Sequence, residues 1–463
     1  MDLGNLFQML AQNIWIYGGS LLLVLSVLVF VHEWGHYIIA RMCGVRVVTF
    51  SIGFGKEIFG YNDKHGTRWK FSMIPLGGYV QLFGDTDPAS AGHSDEIEDG
   101  EDKREMTAEE RDQALFTKPV WKRSAVVFAG PAINFIFAVM LLAGLYYVKG
   151  KPVTLPVADA VAVGSAAERY GFLPRDIIIS IDGKSIQDFS DIKREVLVAL
   201  DQERRFVVQR GDENIEIYAM AERVETEDKF GFKSSAGRLG IMSVENGLLV
   251  DTISQINGVS YEDSNEKIEV LRNLMGTTFE VLLGDPSDKN KPLYISPVEE
   301  HNDGLGSEAD ILKEVLFISP VKEKVFISHT LMTALQSAMR ETYVMTRSSI
   351  EALWQMVVGV RSTSELGGIV RIGAISGEMA QQGIVPLIML TALLSINLGF
   401  INLLPIPMLD GGHLMFYSFE SILGRPVSEQ MQEYAFRAGF VFLIGIMAFA
   451  NLNDLYQILN LGG

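Results

Sequence analysis

The sequence contains a single cysteine among its 463 residues, Cys43. This excludes an intramolecular disulfide, and it means that a metal site would have to use histidine and carboxylate ligands. Positive charge is also scarce, because 39 Lys and Arg stand against 57 Asp and Glu and give a formal net charge of −18. Nucleic acids are polyanions, so this balance argues against a nucleic-acid partner.

Residues 1–13 contain no Lys or Arg. A secretory signal peptide begins with a positively charged region, and here the apolar run that follows also carries candidate functional residues. We therefore expect no cleaved signal peptide. The first apolar segment is expected to remain in the mature protein.

Long apolar runs, in contrast, occur four times, and each is interpreted as a helix that crosses a bilayer. Hydrophobic residues make up 48% of the chain and charged residues 21%, which fits a few membrane helices and a substantial soluble part. We therefore predict a polytopic α-helical membrane protein with four spans. With their flanking residues, the spans are assigned to 1–41, 118–149, 385–414 and 415–463.

Near the end of the first apolar run lies His32-Glu33-Trp34-Gly35-His36. Residues four apart share one face of a helix, so His32 and His36 can bind one metal ion while Glu33 holds a water. This is the H-E-x-x-H pattern of zinc proteases. The alternative is a polar helix end, but ionisable groups in a segment of hydrocarbon length are costly and usually functional. The pattern predicts a Zn2+ site with Glu33 as its catalytic base.

A third ligand is expected from the segment that ends the third apolar run, 402–413, where prolines and glycines interrupt the helix. Asp410 is the best acidic candidate in an apolar context. The alternative is that Asp410 only caps a helix that begins at Gly411. His413 is less favoured, because two histidines and one carboxylate already complete the ligand set. In the second span, Asn134 is expected mainly to pack against a neighbouring helix, and a role near the metal is the minority interpretation.

Two segments follow the first span. Residues 42–85 alternate apolar and polar side chains and predict β-hairpins that re-enter the membrane, where protein or a water-filled cavity must satisfy the backbone. An edge strand there is a candidate acceptor for an extended substrate. Residues 86–117 are rich in acidic side chains, which predicts a disordered or loosely held loop.

The chain between the second and third spans predicts an inserted α+β region. Residues 150–243 combine a short helix with a strand that ends in an Asp-Gly turn, an order that resembles a PDZ module, with 239–241 as its peptide-carboxylate loop. Residues 244–320 repeat strand, turn, helix and strand, which predicts a degenerate second PDZ-like module. The alternative is a generic α+β domain without a ligand. Residues 321–384 are interpreted as an amphipathic helix on the membrane face, over 322–357, and an irregular Gly-rich clamp, over 365–377.

Lys and Arg are concentrated between the first two spans. Cytoplasmic segments of membrane proteins carry such an excess, so this segment is predicted to be cytoplasmic. The PDZ-like insertion is then on the opposite side of the membrane. The histidine motif is in the cytoplasmic half of the bilayer.

The histidine motif, the pattern Asn402-x-x-Pro405-x-x-x-Leu409-Asp410-Gly411-Gly412 and the PDZ-like insertion together resemble the site-2 protease family, peptidase M50. The resemblance implies intramembrane cleavage of single-span proteins in the bacterial inner membrane, with the insertion periplasmic. The implied substrates are pre-cleaved anti-sigma factors and remnant signal peptides. The implied roles are Zn2+ ligation by His32, His36 and Asp410, general base catalysis by Glu33, and substrate contact by Asn397 and Asn402.

Two other hypotheses remain. A membrane-anchored PDZ adaptor with a structural zinc site would share the same motifs and would need no general base. A zinc transporter is disfavoured, because the chain has only four spans and a large insertion.

Overall fold

The computed structural model describes residues 14–84, 96–99, 102–228, 231–244, 247–261, 263–284, 291–306, 314–319, 325–327 and 330–459. Residues 1–13, part of the acidic segment and the start of the predicted amphipathic helix lie outside this description.

Within the described residues, four helices are long and apolar enough to cross a membrane. The shortest has 19 residues, which at 1.5 Å per residue gives about 29 Å, close to the thickness of the hydrocarbon core. The prediction of a polytopic membrane protein is therefore confirmed. The four helices are α1 (Ile14–Met42), α3 (Val120–Lys149), α9 (Ile384–Asn402) and α11 (Glu429–Leu459).

Helix α3 lies at the centre of the helical core. One cluster of buried side chains joins it to α9 and to helix α7 (Leu331–Val357), and much of that cluster is alanine. Small side chains let helix backbones approach closely, which is the usual basis of helix association in membranes. The cluster consists of Ala138, Leu142, Ala143, Tyr146, Ala334, Ala338, Ala392 and Ile396.

An antiparallel hairpin of β1 (Val47–Asn62) and β2 (Arg68–Leu82) packs against α1. The Phe50 ring is fully buried and stacks on Trp69 with 4.2 Å between ring centroids. At the turn, burial alone would raise the pKa of Asp63. Hydrogen bonds from Trp69, two backbone amides and Tyr37 of α1 outweigh that effect and hold the pKa at about 2. These contacts fix the hairpin beside the part of α1 that carries the histidine motif.

The part of the acidic segment that the structure describes, 96–99 and 102–117, contains regular structure where a loose loop was expected, and residues 85–95 and 100–101 lie outside the description. Strands β3 (Glu96–Asp99) and β4 (Asp102–Glu105) pair, and a short helix α2 (Ala108–Asp112) follows. The hydroxyl of Thr107 accepts from the backbone amide of Glu110, whose carboxylate accepts from the amide of Thr107 in return. This capping box satisfies amides at the helix start that would otherwise lack partners.

The insertion between α3 and α7 is built on two main sheets. A four-stranded sheet has the strand order β10 (Glu213–Met220), β9 (Glu203–Arg210), β7 (Ile177–Ile181) and β8 (Lys184–Ser185). A six-stranded sheet has the order β13 (Ile241–Met242), β6 (Ala160–Ala162), β18 (Leu293–Ile295), β17 (Phe279–Leu283), β15 (Ile253–Ile256) and β16 (Val259–Ser260). Strand β6 comes from the first predicted module and β18 from the second, so the two modules share one sheet. A sequence repeat would suggest two separate units, but this strand pairing joins them.

The elements of the insertion, with the strand that follows it before α7, have the following bounds: β5 (Lys151–Val153), β6 (Ala160–Ala162), α4 (Ala166–Arg169), β7 (Ile177–Ile181), β8 (Lys184–Ser185), α5 (Phe189–Val198), β9 (Glu203–Arg210), β10 (Glu213–Met220), β11 (Glu222–Glu227), β12 (Lys233–Arg238), β13 (Ile241–Met242), β14 (Leu248–Leu249), β15 (Ile253–Ile256), β16 (Val259–Ser260), α6 (Ser264–Asn273), β17 (Phe279–Leu283), β18 (Leu293–Ile295), β19 (Val315–Leu316) and β20 (Val325–Ile327). Short 3-10 turns lie at Val250–Thr252 and Glu299–His301.

Strand β20 lies where the amphipathic helix was expected to begin, and it pairs with β5. The chain therefore enters and leaves the insertion on adjacent strands, and α7 begins only at Leu331. Charged side chains then connect α7 to α5. Asp191 pairs with Arg340 at 3.0 Å and Glu195 with Arg347 at 3.1 Å.

The segment expected to be an irregular clamp is largely helical, which corrects that prediction. A 3-10 turn at Thr363–Glu365 precedes helix α8 (Ile369–Gln382). Asp454 of α11 accepts hydrogen bonds from the backbone amides of Gly368 and Arg371, both at 2.9 Å, and so satisfies the helix start. A Cβ at Gly377 would lie 2.0 Å from the Tyr17 ring, so this glycine allows α8 to approach α1.

Helix α9 ends at Asn402, and after an irregular reversal a new helix α10 (Asp410–Leu423) begins. The reversal is tight. A Cβ at Gly411 would lie 2.2 Å from the carbonyl oxygen of Leu404, and one at Gly412 would lie 2.5 Å from that of Ile406. The two glycines thus let the chain fold back on itself and place Asp410 at the first position of a helix.

Candidate active site

His32 and His36 of α1 meet Asp410 at the start of α10. The Nε2 atoms of the two histidines are 3.3 Å apart, and the Asp410 carboxylate lies 3.3 Å from Nε2 of His32 and 3.5 Å from Nε2 of His36. In a tetrahedral zinc site with ligand distances of about 2.0–2.1 Å, neighbouring ligand atoms are about 3.3 Å apart. The two imidazole nitrogens have the spacing of neighbouring zinc ligands, and each is close to one oxygen of the Asp410 carboxylate, Oδ2 for His32 and Oδ1 for His36. Within the described residues, His32, His36 and Asp410 form a group that could hold a metal ion.

Helix α3 provides the space and the orientation for both imidazoles. A Cβ at Gly130 would lie 2.2 Å from Nε2 of His36 and 2.9 Å from Cε1 of His32, so both rings occupy room that only glycine leaves. Nδ1 of His36 lies 2.9 Å from the carbonyl oxygen of Val126. That oxygen can only accept, so Nδ1 carries the hydrogen and Nε2 is left free for a metal. The residues present thus fit a zinc ion.

Asp410 does not act as the helix cap that the alternative interpretation required. The cap position of α10 is Leu409, where the structure has no side-chain hydrogen bond to the helix start. His413 lies one turn further along α10, and its ring is 4.9 Å from that of Phe436. His413 lines the same cavity as the ligands but is not part of the three-residue cluster.

Glu33 lies beside the ligands, against strand β2. A Cβ at Gly78 would be 3.4 Å from Cγ of Glu33, so the carboxylate side chain and the strand backbone are neighbours. Both line a cavity of about 590 Å³ that also includes the three ligands. A carboxylate beside a candidate metal site, with an extended backbone close by, is an arrangement suited to hydrolysis of a peptide bond.

The cavity runs from the ligands to polar side chains near the start of α3. There Arg123 pairs with Glu420 of α10 at 2.6 Å, and its guanidinium lies 4.9 Å from the ring centre of Tyr417. The cavity therefore joins the candidate ligands to an ion pair near the start of α3.

The two asparagines of α9 differ in their surroundings. Asn402 lines the cavity, and its side-chain nitrogen is 3.4 Å from Nε2 of His32. Asn397 instead accepts a hydrogen bond from Ser349 of α7 at 2.8 Å, and it is not among the residues lining the cavity. The structure thus brings Asn402, but not Asn397, together with the predicted ligands.

Sequence reasoning missed two residues of α3 that contact the histidines, Val126 and Gly130. A role for Asn134 near the metal was only a minority interpretation, and its side-chain nitrogen is 3.1 Å from Nδ1 of His32. Asn134 had a usable signal, because a polar amide within an apolar run of membrane length is costly unless it has a partner. Val126 contributes a backbone oxygen and therefore gives no signal in the sequence.

Comparison with known proteins identifies the family of this chain. A model of peptidase family M50 matches residues 20–446. The chain is 35% identical to a candidate zinc metalloprotease of Agrobacterium fabrum, with 95% of each chain covered, and 31% identical to the metalloprotease MmpA of Caulobacter vibrioides, with 94% of each covered. It is 29% identical to the regulator of sigma-E protease RseP of Escherichia coli, over 95% of this chain and 98% of the relative. These matches confirm the family and the zinc dependence that the sequence predicted. The chain therefore belongs to peptidase family M50 and is a zinc metalloendopeptidase.

Proposed function

We propose that the enzyme hydrolyses a peptide bond within the transmembrane segment of single-span membrane proteins. The observation that carries this proposal is the position of the ligand cluster along α1. His32 is the nineteenth residue of a 29-residue apolar helix, which is about 43 Å long. A site at this height is at membrane depth, where the peptide bonds within reach belong to membrane-spanning segments.

His32, His36 and Asp410 are the proposed zinc ligands. When bound, zinc supplies Lewis-acid chemistry that lowers the pKa of a water ligand toward about 7 and polarises the scissile carbonyl. Glu33 takes the proton of the attacking water and delivers it to the leaving amine. The Asn402 amide, at the cavity wall, donates a hydrogen bond to the substrate backbone. Asn397 becomes a second substrate contact only if it gives up its hydrogen bond with Ser349 and forms one with the substrate.

A helical substrate hides its carbonyls in hydrogen bonds and must be unwound first. Among the described strands, residues 78–82 of β2 pair with β1 on one side only, next to Glu33. We propose that an unwound substrate adds to this edge as a strand. Apolar side chains on the hairpin, including Phe54, Phe59 and Met73, are exposed, which supports insertion of the hairpin into the membrane.

The proposed location is the bacterial inner membrane, with the cavity mouth near Arg123 on the cytoplasmic side and the insertion in the periplasm. The excess of Lys and Arg between α1 and α3 supports this orientation. Relatives named regulators of sigma-E protease support a substrate of the anti-sigma-factor type. Remnant signal peptides share the single apolar span and are the second proposed substrate class.

We propose that the insertion is PDZ-like and receives a peptide end. A groove of about 1030 Å³ lies between α5 and the strand Ile241–Met242, which is at the edge of the six-stranded sheet. Edge strands accept extended peptides through backbone hydrogen bonds. Lys193, Arg238 and Lys291 line the groove and favour a carboxylate.

The proposal is tested by incubating the purified enzyme in liposomes with a single-span protein whose extramembrane domain has been trimmed. Mass spectrometry of the products is expected to place the cut inside the span. Removal of zinc with 1,10-phenanthroline is expected to lower the rate by about 100-fold or more, and added zinc to restore it, because the metal supplies the Lewis acid. Products cut only outside the span, or equal cleavage of unfolded casein, would contradict the intramembrane proposal.

A further inference from the structure

The side chain of Asn134 lies inside the helical core, in contact with a proposed zinc ligand. The residue is fully buried, and its Nδ2 atom is 3.1 Å from Nδ1 of His32. Its other polar atom, Oδ1, is buried and has no hydrogen-bond partner among the described residues. A buried carbonyl oxygen without a partner destabilises a fold, so this amide needs an explanation.

The hydrogen-bond chemistry of His32 supplies the explanation. With Nε2 facing the metal, the proton of neutral His32 must be on Nδ1, which then acts as a donor. A donor does not pair with the NH2 group of an amide. A 180° flip of the side-chain amide exchanges the positions of its oxygen and nitrogen, which have nearly the same size. Oδ1 then accepts a hydrogen bond from Nδ1 of His32. The same flip gives the oxygen its partner and places the NH2 group at the buried position that has no partner among the described residues.

We propose that Asn134 is a positioning residue for the zinc centre: its side-chain oxygen accepts the Nδ1 hydrogen of His32 and thereby fixes the tautomer and the orientation of that ring. This inference rests on the proposed role of His32 as a ligand. Metal-bound histidines commonly donate their second nitrogen to such an acceptor, and the loss of the acceptor costs about 10- to 100-fold in metal affinity.

The spacing along α3 supports the assignment. Val126, Gly130 and Asn134 are each four residues apart and therefore lie along one face of the helix. The first offers an acceptor to His36, the second leaves room for both rings, and the third offers an acceptor to His32. The two histidines on α1 thus face two acceptors on α3, the Val126 carbonyl oxygen and the Asn134 side chain. Gly130 lies between these acceptors and leaves space for the rings.

The backbone of Asn134 is also held in place. Ser395 of α9 donates a hydrogen bond to its carbonyl oxygen at 2.8 Å. The helix that carries Asn402 is thereby fixed to the turn of α3 that orients His32. Asn134 is thus contacted by α1 through its side chain and by α9 through its backbone. This suits a residue that must hold an imidazole in one orientation.

The test compares Asn134→Leu, which keeps the volume without an acceptor, with Asn134→Asp, which keeps an acceptor. The zinc dissociation constant, measured by chelator competition on the full-length protein in detergent, is expected to rise about 10- to 100-fold in the Leu variant and to stay within about threefold of wild type in the Asp variant. The absorption spectrum of the cobalt-substituted protein is expected to change in the Leu variant only. Thermal unfolding identifies a variant that merely fails to fold, and Asn134→Ala then replaces it.

His32→Ala separates this inference from the ligand assignment. Loss of zinc in His32→Ala together with wild-type affinity and spectrum in the folded Leu variant would show that Asn134 only packs, and would overturn the inference. Full zinc binding by His32→Ala would instead refute the proposed ligand set. A weakened Leu variant that Asp restores supports the hydrogen bond over a packing effect.

Discussion

Glu33→Gln is expected to lower kcat/KM for a single-span substrate by about a thousandfold or more and to leave bound zinc at the wild-type level. Glutamine has almost the same shape as glutamate but cannot take a proton from the attacking water. Glu33 is not one of the three clustered ligand residues, so its replacement removes the base and keeps the metal site. The measurements are product formation in liposomes and zinc content by mass spectrometry.

Glu433→Gln is a matched control, because it makes the same chemical change on α11 at an exposed position whose ion pair, within the described residues, is with the nearby Arg437. This variant is expected to cleave at the wild-type rate. Cleavage by Glu33→Gln at a rate within about tenfold of wild type would remove Glu33 from the mechanism. Zinc-loaded wild-type protein that cleaves no single-span substrate would favour the alternative of an adaptor with a structural metal.

The clustering of the three candidate zinc ligands could be predicted from sequence because a zinc site has chemical requirements and its signals are local. His32 and His36 have helical spacing, and ionisable residues inside an apolar run already point to function. Asp410 is distant in the chain, but few carboxylates lie in an apolar context, so the need for a third ligand selects it. The existence of four apolar helices of membrane length followed from hydropathy and length, which are also local properties.

The remaining features depend on contacts between distant segments. The glycines near residue 377 were interpreted as irregular chain, but Gly377 makes room for the Tyr17 ring, a partner that its own neighbourhood in the sequence does not reveal. Strand β20 forms where an amphipathic helix was expected, because β5 offers it a partner. Asn134 was expected to pack, and its contact with His32 joins residues 102 positions apart. Tertiary partners override local preference in each case.

Gly130→Ala is expected to weaken zinc binding by about 100-fold or more, because it adds a methyl group at the place that the imidazoles occupy. The new Cβ would lie 2.2 Å from Nε2 of His36 and 2.9 Å from Cε1 of His32. Rotation of a ring cannot relieve this contact cheaply, since Nδ1 of His36 is held by the Val126 oxygen. Either the rings turn away or α3 separates from α1, and both changes displace ligand atoms. The zinc dissociation constant and cleavage rate measure the effect.

Gly144→Ala provides the matched control on the same helix, since a Cβ there meets nothing within 4 Å. It is expected to keep wild-type zinc affinity and to stabilise the helix by up to about 1 kcal/mol, the usual gain from glycine to alanine in a helix interior. Wild-type zinc affinity in Gly130→Ala would contradict the proposed role of Gly130 in leaving space for the two rings. Weakened zinc binding in both variants would indicate instead that the site is sensitive to any added methyl group on α3.

The double variant Gly130→Ala with Asn134→Leu distinguishes the two ways in which the methyl group can act. If α3 moves away from α1, the bond between Asn134 and His32 is already lost in Gly130→Ala, so the added Leu substitution costs little and the effects are less than additive. If only the His36 ring turns, the Asn134 bond survives and the two effects on zinc affinity add. Nearly additive effects on zinc affinity would therefore mean that the methyl group displaces only the His36 ring. Strongly non-additive effects would mean that it separates α3 from α1.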